Sequence, residues 1–157
     1  MWYAIVLFAV ISSVAAGFGC HTVRDDEQSP LFRGGDWVMS NPTDEVPELE
    51  GRWTLLAFFQ PSDENCLAEV PHLVSLQNEY EQRGLTVVGL TAVDSVVARR
   101  FLRKHELTYD VLSEAGVNFE AYGVTEVPQV FLLSPHGDVL ARDRETAEAV
   151  LAAKFNS

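Results

Sequence analysis

The stretch Trp53-Thr54-Leu55-Leu56-Ala57-Phe58-Phe59 is an unbroken apolar run of strand length, closed by Gly51 on one side and Pro61 on the other. A strand that shows no alternation has no polar face to give to water, so it must be covered on both sides, as in the middle of a parallel sheet. A helix start follows at once. Ser62 and Asp63 are N-cap candidates, Glu64 puts negative charge in the first turn, and Leu67, Val70, Leu73, Val74 and Tyr80 recur on one side until Gly84 stops the helix, with Pro71 expected to kink it.

The same pattern repeats downstream. Leu85-Thr86-Val87-Val88-Gly89-Leu90 reads as a second buried strand, residues 94–105 as a second helix, and Tyr109-Asp110-Val111-Leu112 as a short extended piece. Strand, helix, strand, helix in this order implies right-handed crossovers and a parallel core. Gln129 to Leu133, a turn set by Gly137, and Val139 to Ala141 then read as an antiparallel hairpin. A helix from Arg144 to Phe155 closes the sheet. The fold class is therefore α/β, with a central mixed sheet flanked by helices in a single domain over residues 46–157.

Residues 1–20 contain no charged side chain, and the apolar run over 2–19 meets the charged segment Arg24, Asp25, Asp26 and Glu27 almost directly. That run is long for a secretory signal core and marginal for a membrane span, and it predicts export or anchoring. Three fates stay open: lipidation at Cys20, which follows Gly17-Phe18-Gly19 much as a lipobox cysteine follows its small residue; an uncleaved anchor helix; or cleavage near Ala15 or Ala16. Residues 21–45, broken by Pro30, Gly34-Gly35 and Pro42, read as a tether leading into a short edge segment around Trp37-Val38-Met39.

All 23 acidic and 11 basic residues lie outside the leader, giving a formal net charge of −12. Phosphate binding is driven by Lys and Arg releasing counterions, so nucleic acid is excluded as a partner. The only basic cluster, Arg99, Arg100, Arg103 and Lys104, is either a solvated helix face or a dock for an acidic partner. The two cysteines are poorly placed to pair, since Cys20 abuts the leader and Cys66 starts a core helix. No cofactor is implied, and with one cysteine in the domain no metal set is implied either.

The segment Phe58-Phe59-Gln60-Pro61-Ser62-Asp63-Glu64-Asn65-Cys66-Leu67-Ala68-Glu69-Val70-Pro71 resembles the active-site turn of the redoxin group of the thioredoxin superfamily. That group includes the membrane-anchored TlpA-like thiol-disulfide oxidoreductases and the AhpC/TSA peroxiredoxins. In TlpA-like members a CxxC is followed by Glu three residues and Pro five residues after the second cysteine, the spacing of Cys66, Glu69 and Pro71. The segment Gly123 to Leu132 is similar to the one that carries the family's cis-proline opposite the active site, which makes Pro128, after Val127, the expected cis residue. The resemblance implies a thioredoxin-like fold, Cys66 as redox residue, Glu69 as proton relay, Val127 and Pro128 as substrate-binding residues, protein or peptide thiols and disulfides as partners, and a bacterial cell-envelope location with membrane attachment through the N-terminus.

The departures carry chemistry. Asp63 stands where the attacking cysteine of CxxC belongs, so the motif is degenerate. One thiol can form mixed disulfides or a sulfenic acid but no intramolecular disulfide. In a peroxiredoxin alignment Cys66 would be the peroxidatic residue, yet Asp63 replaces Thr, Phe59 replaces an upstream Pro, and Gln129 stands near the expected activating Arg. Asp63, Glu64 and Glu69, all within about a helical turn of Cys66, disfavour its thiolate. Three functions remain: a thiol-disulfide oxidoreductase-like protein with weakened, single-cysteine chemistry; a redox-inactive peptide-binding module; and a one-cysteine peroxidase.

Overall fold

The computed structural model describes residues 32–156; the leader and Cys20 lie outside them. Six strands form one sheet in the order β1-β4-β3-β2-β5-β6, where β1 is Asp36–Val38, β2 Trp53–Phe58, β3 Leu85–Leu90, β4 Asp110–Ser113, β5 Gln129–Leu133 and β6 Val139–Ala141. β2, β3 and β4 run parallel, with Leu55 opposite Val87 and Gly89 opposite Val111. β5 lies antiparallel against β2, β6 against β5, and β1 against β4. This is the mixed sheet flanked by helices that the strand and helix succession implies. β1 falls inside residues 21–45, at the edge segment expected around Trp37.

The helices are α1 (Glu64–Tyr80), α2 (Ser95–Lys104), α3 (Gly116–Ala121) and α4 (Arg144–Phe155). Two right-handed crossovers, β2-α1-β3 and β3-α2-β4, advance in the same direction and therefore place α1 and α2 on one face of the sheet. Their buried side chains, Val70, Leu73, Leu76 and Tyr80 from α1 and Ala98, Phe101 and Leu102 from α2, pack with Ala147 and Leu151 of α4 over Leu55, Ala57, Val87 and Val111. The other face carries Leu56, Phe58, Val88, Leu90 and Phe131, covered by α3 and by Phe32, Trp37 and Leu49 of the incoming chain. β2 thus buries both faces, as its unbroken apolar run requires. Phe58 anchors the second layer through ring contacts with Phe119, Tyr122 and Phe131 at 4.9, 5.3 and 5.7 Å.

α1 passes through Pro71 as one continuous helix and ends in a 3-10 turn, Glu81–Arg83, stopped by Gly84 at φ 106. α3 has no counterpart among the helices expected from sequence. Its six residues are too few to display a period; tertiary contacts fix it, namely Asn118, bonded to the Arg33 backbone on both sides of its amide, and Phe119 against Phe58.

Candidate active site

The C-terminal end of β2 is the centre of the sheet's pole. Phe58 pairs with Leu90 on one side and Gln129 on the other, and the Phe59 N–H donates to the Leu90 carbonyl at 2.9 Å, so the chain is held one residue past the strand. It then turns through Gln60, Pro61 and Ser62, closed by an Asp63 N–H to Gln60 carbonyl bond of 3.1 Å. Of the two N-cap candidates, Asp63 takes the position: its backbone is extended at φ −90 and ψ 124, and its Oδ1 accepts from the Cys66 N–H at 2.9 Å. Cys66 is the third residue of α1. Where a CxxC protein has its attacking sulfur, this chain has a carboxylate seated on the helix N-terminus.

Cys66 is 2% exposed and belongs to the core beneath α1. Its Sγ accepts from the Gln60 N–H at 3.5 Å. Burial pushes the thiol up from 9.0 to about 11; the Asp63 charge, its hydrogen bonding to the neutral thiol and the Glu69 charge push the same way, while the Gln60 N–H opposes them. At neutral pH the thiolate is then about one part in ten thousand. Tyr109, 3% exposed, has its phenol pushed up by burial and then by the charge of Cys66. Both rings that wall this region meet at Gly89, where a Cβ would lie 3.0 Å from Phe59 Cε1 and 3.3 Å from Tyr109 Cε2.

Glu69 lies one turn beyond Cys66, and its partner comes from the far end of the chain. Glu69 Oε2 is 2.8 Å from Arg144 Nε, and Arg144 Nη1 donates to Glu148 Oε1 at 2.8 Å. Arg144 opens α4 directly after its N-cap Asp143. No Lys or Arg stands between Arg52 and Arg83, and nothing in the linear sequence ties Arg144 to Glu69. The cation that the site lacks locally is supplied by tertiary structure, and it is held by carboxylates rather than by the thiol.

The Val127-Pro128 bond is cis. Because Phe58 is opposite Gln129 in the antiparallel β2/β5 register, Pro128 falls beside Phe59 and the turn that leads to Cys66. Val127 packs against both layers of the core, and Gln129 Nε2 donates to the Arg142 carbonyl. Cys66, Asp63, Glu69, Val127 and Pro128 are thus all carried at one pole of the sheet, and Tyr109, Gly89 and Arg144 join them as residues that sequence reasoning did not assign to it. Among the described residues no three of His, Cys, Asp and Glu gather as metal ligands would, and no helix is long and apolar enough to cross a membrane.

Comparison with known proteins bears on the family and the fold. The chain is similar to the thiol-disulfide oxidoreductase ResA of Halalkalibacterium halodurans, 27% identical over 88% of this chain and 83% of that protein. It is similar to the protein of the same name from Oceanobacillus iheyensis, 23% identical over 87% of this chain and 72% of that one. Among solved structures, a thioredoxin-like superfamily protein superposes with a TM-score of 0.68 at 19% identity, covering 82% of this chain and 94% of its own. A thiol:disulfide interchange protein DsbE of Chlorobium tepidum gives 0.59 at 24% identity, over 69% and 80%. At those identities the likeness concerns the fold, which is thioredoxin-like. The AhpC/TSA family model matches residues 40–142, more than half the sequence, and the chain belongs to the AhpC/TSA family.

Proposed function

We propose that this chain is a cell-envelope thiol-disulfide protein, attached to the membrane through residues 1–20 and the segment that leads from them to β1, whose domain acts through Cys66 alone. The observation that carries this reading is the combination at the start of α1: one buried thiol at the third helical residue, with a carboxylate capping the helix at the position of the absent cysteine. Membership of a thiol-based family and similarity to oxidoreductases supply the class of partner, a protein thiol or disulfide. Glu69, ion-paired with Arg144, is the candidate proton relay, and Val127-Pro128 is the candidate contact for a partner strand.

The chemistry open to such a site is limited and balanced simply. The Cys66 thiolate attacks one sulfur of a partner disulfide, that S–S bond breaks, the second sulfur leaves as a thiolate, and a Cys66 mixed disulfide remains. Among the described residues there is no second thiol to resolve it, so turnover of the domain waits for another thiol. A second reading, a redox-inactive module that holds a peptide beside Pro128, is favoured by the 2% exposure and raised pKa of Cys66. A one-cysteine peroxidase is less well supported, because a peroxidatic cysteine works as a thiolate at neutral pH and the nearest cation is engaged by Glu69 and Glu148.

Reduction of insulin disulfides tests the reading. Wild type is expected to show no catalytic turnover, and Asp63→Cys to form an intramolecular disulfide with Cys66 and gain reductase activity. Vigorous turnover by the wild type, abolished by Cys66→Ser, would overturn the redox-inactive reading and favour a one-cysteine enzyme, whereas a wild type that forms no mixed disulfide with insulin would contradict the proposal. An Asp63→Cys variant that forms its disulfide yet stays inactive would show that the partner-strand contact has gone.

A further inference from the structure

α2 presents four cations within six residues, Arg99, Arg100, Arg103 and Lys104, on a chain whose formal net charge is −12. All four are exposed, and they line one shallow hollow with Val96, itself 66% exposed. Among the described residues none of the four side chains has an ion-pair or hydrogen-bond partner. The helix dipole accounts for Arg103 and Lys104 in the last turn. It does not account for Arg99 and Arg100, which stand at i,i+4 to Arg103 and Lys104, the spacing at which like charges repel. In a chain with 23 acidic residues, a self-repelling basic face left without a partner among the described residues is complementary to something outside the domain.

Its place in the fold relates it to the thiol site. The buried side of α2 presents Phe101, whose ring lies 5.0 Å from that of Phe59, and Phe59 precedes Gln60, the donor to Cys66 Sγ. α1 and α2 cover the same face of the sheet, so a partner seated on the outside of α2 flanks the turn that carries Cys66.

We propose that the outer face of α2 docks an acidic segment of the protein partner whose thiol or disulfide is offered to Cys66. This rests on the reading of the site as one for protein thiols or disulfides. The scale of the patch favours a polypeptide over a membrane. Six helical residues span about 9 Å, close to the Debye length of about 8 Å at physiological ionic strength. A short acidic segment laid on that face meets the four cations and is screened from the carboxylates elsewhere. A flat anionic bilayer would meet the net negative charge of the whole chain as well.

The test uses the full-length Cys20→Ser chain in neutral detergent, so that Cys66 is the only thiol, and two peptides that differ only in four Glu against four Gln around one cysteine. Each peptide cysteine is joined to thionitrobenzoate. Attack by the Cys66 thiolate breaks that S–S bond, leaves peptide on Cys66 and releases the coloured thionitrobenzoate anion. At low salt the acidic peptide is expected to react about tenfold faster than its Gln counterpart, and high salt should remove the difference. Arg99→Gln/Arg100→Gln should remove it too, whereas Arg33→Gln/Lys154→Gln, which changes the net charge equally, should retain it. Equal rates with both peptides in the wild type would overturn the proposal; if phosphatidylserine-containing micelles are then bound only when the α2 cations are present, the face is a membrane contact instead. If neither peptide reacts even at alkaline pH, the thiol-disulfide reading falls, and fluorescence anisotropy of the labelled acidic peptide decides docking by itself. Binding that depends on Arg99 and Arg100 upholds it, and no such binding overturns it.

Discussion

Asp63 does two separable things, and two substitutions separate them. Its Oδ1 accepts the Cys66 N–H at 2.9 Å as the N-cap of α1, and its charge is one of the forces that hold the Cys66 thiol protonated. Asp63→Ala leaves the first-turn N–H groups of a 17-residue helix without their side-chain acceptor, which costs about 1 kcal/mol. On a domain of this size that lowers Tm by about 4 °C. Asp63→Asn keeps an acceptor of equal capping rank, so its stability should fall by less than about 0.5 kcal/mol. Both changes remove the negative charge, so in both the thiol should titrate below the wild-type value of about 11. It should stay above 9.0, because burial, the largest cause of the shift, is untouched. Thermal unfolding followed by circular dichroism and ultraviolet thiolate absorbance against pH, both in a Cys20→Ser background, give the two readouts. The reasoning fails if Asn costs as much stability as Ala, or if neither variant moves the titration.

Alkali should destabilise the fold. The folded thiol titrates near 11 against 9.0 for the free group, so its protonated form favours folding fully below pH 9, and that contribution, roughly 2 to 3 kcal/mol at about 1.36 kcal/mol per unit, is lost as pH rises from 9 to 11. Tyr109 acts in the same sense above pH 10. Urea unfolding of wild type and Cys66→Ala across this range should show a shallower loss in the variant. Gly89→Ala should cost about 1–3 kcal/mol by overpacking, since its Cβ would press on the Phe59 ring at 3.0 Å and on Val111 at 3.2 Å; an unchanged urea midpoint would mean that these rings move aside freely. Phe58→Ala, which removes a fully buried ring from contact with Phe119, Tyr122 and Phe131, should cost about 3–5 kcal/mol in the same assay.

What was legible in the sequence is what local rules specify. β2 and β3 announce themselves as unbroken apolar runs, and α1 by its cap residues and by Gly84, so the strand-turn-helix that carries Cys66 could be placed before any coordinates. Asp63 was one of two cap candidates; choosing between it and Ser62 took the backbone geometry. The α3 helix was not legible, because six residues give no period and its positioning comes from contacts distant in sequence, Asn118 with Arg33 and Phe119 with Phe58. Nor was the partner of Glu69, since an ion pair between α1 and α4 exists only after the sheet has brought the two helices to one face. Of the three carboxylates expected to disfavour the Cys66 thiolate, Asp63 and Glu69 do so, but the larger cause, burial, is a property of packing. The expectations for residues 1–20 and Cys20 lie outside the described residues.

Cys66 is a buried thiol, protonated at neutral pH, and the chemistry of the site follows from that. The most direct measurement is its rate of alkylation by iodoacetamide as a function of pH, in the Cys20→Ser chain under conditions where circular dichroism reports the native fold. The rate should be far below that of an exposed thiol at neutral pH and climb about tenfold per pH unit toward a midpoint of about 11. A rate that has already levelled off below pH 8, at the speed of a free thiolate, would contradict the account and make Cys66 an activated nucleophile.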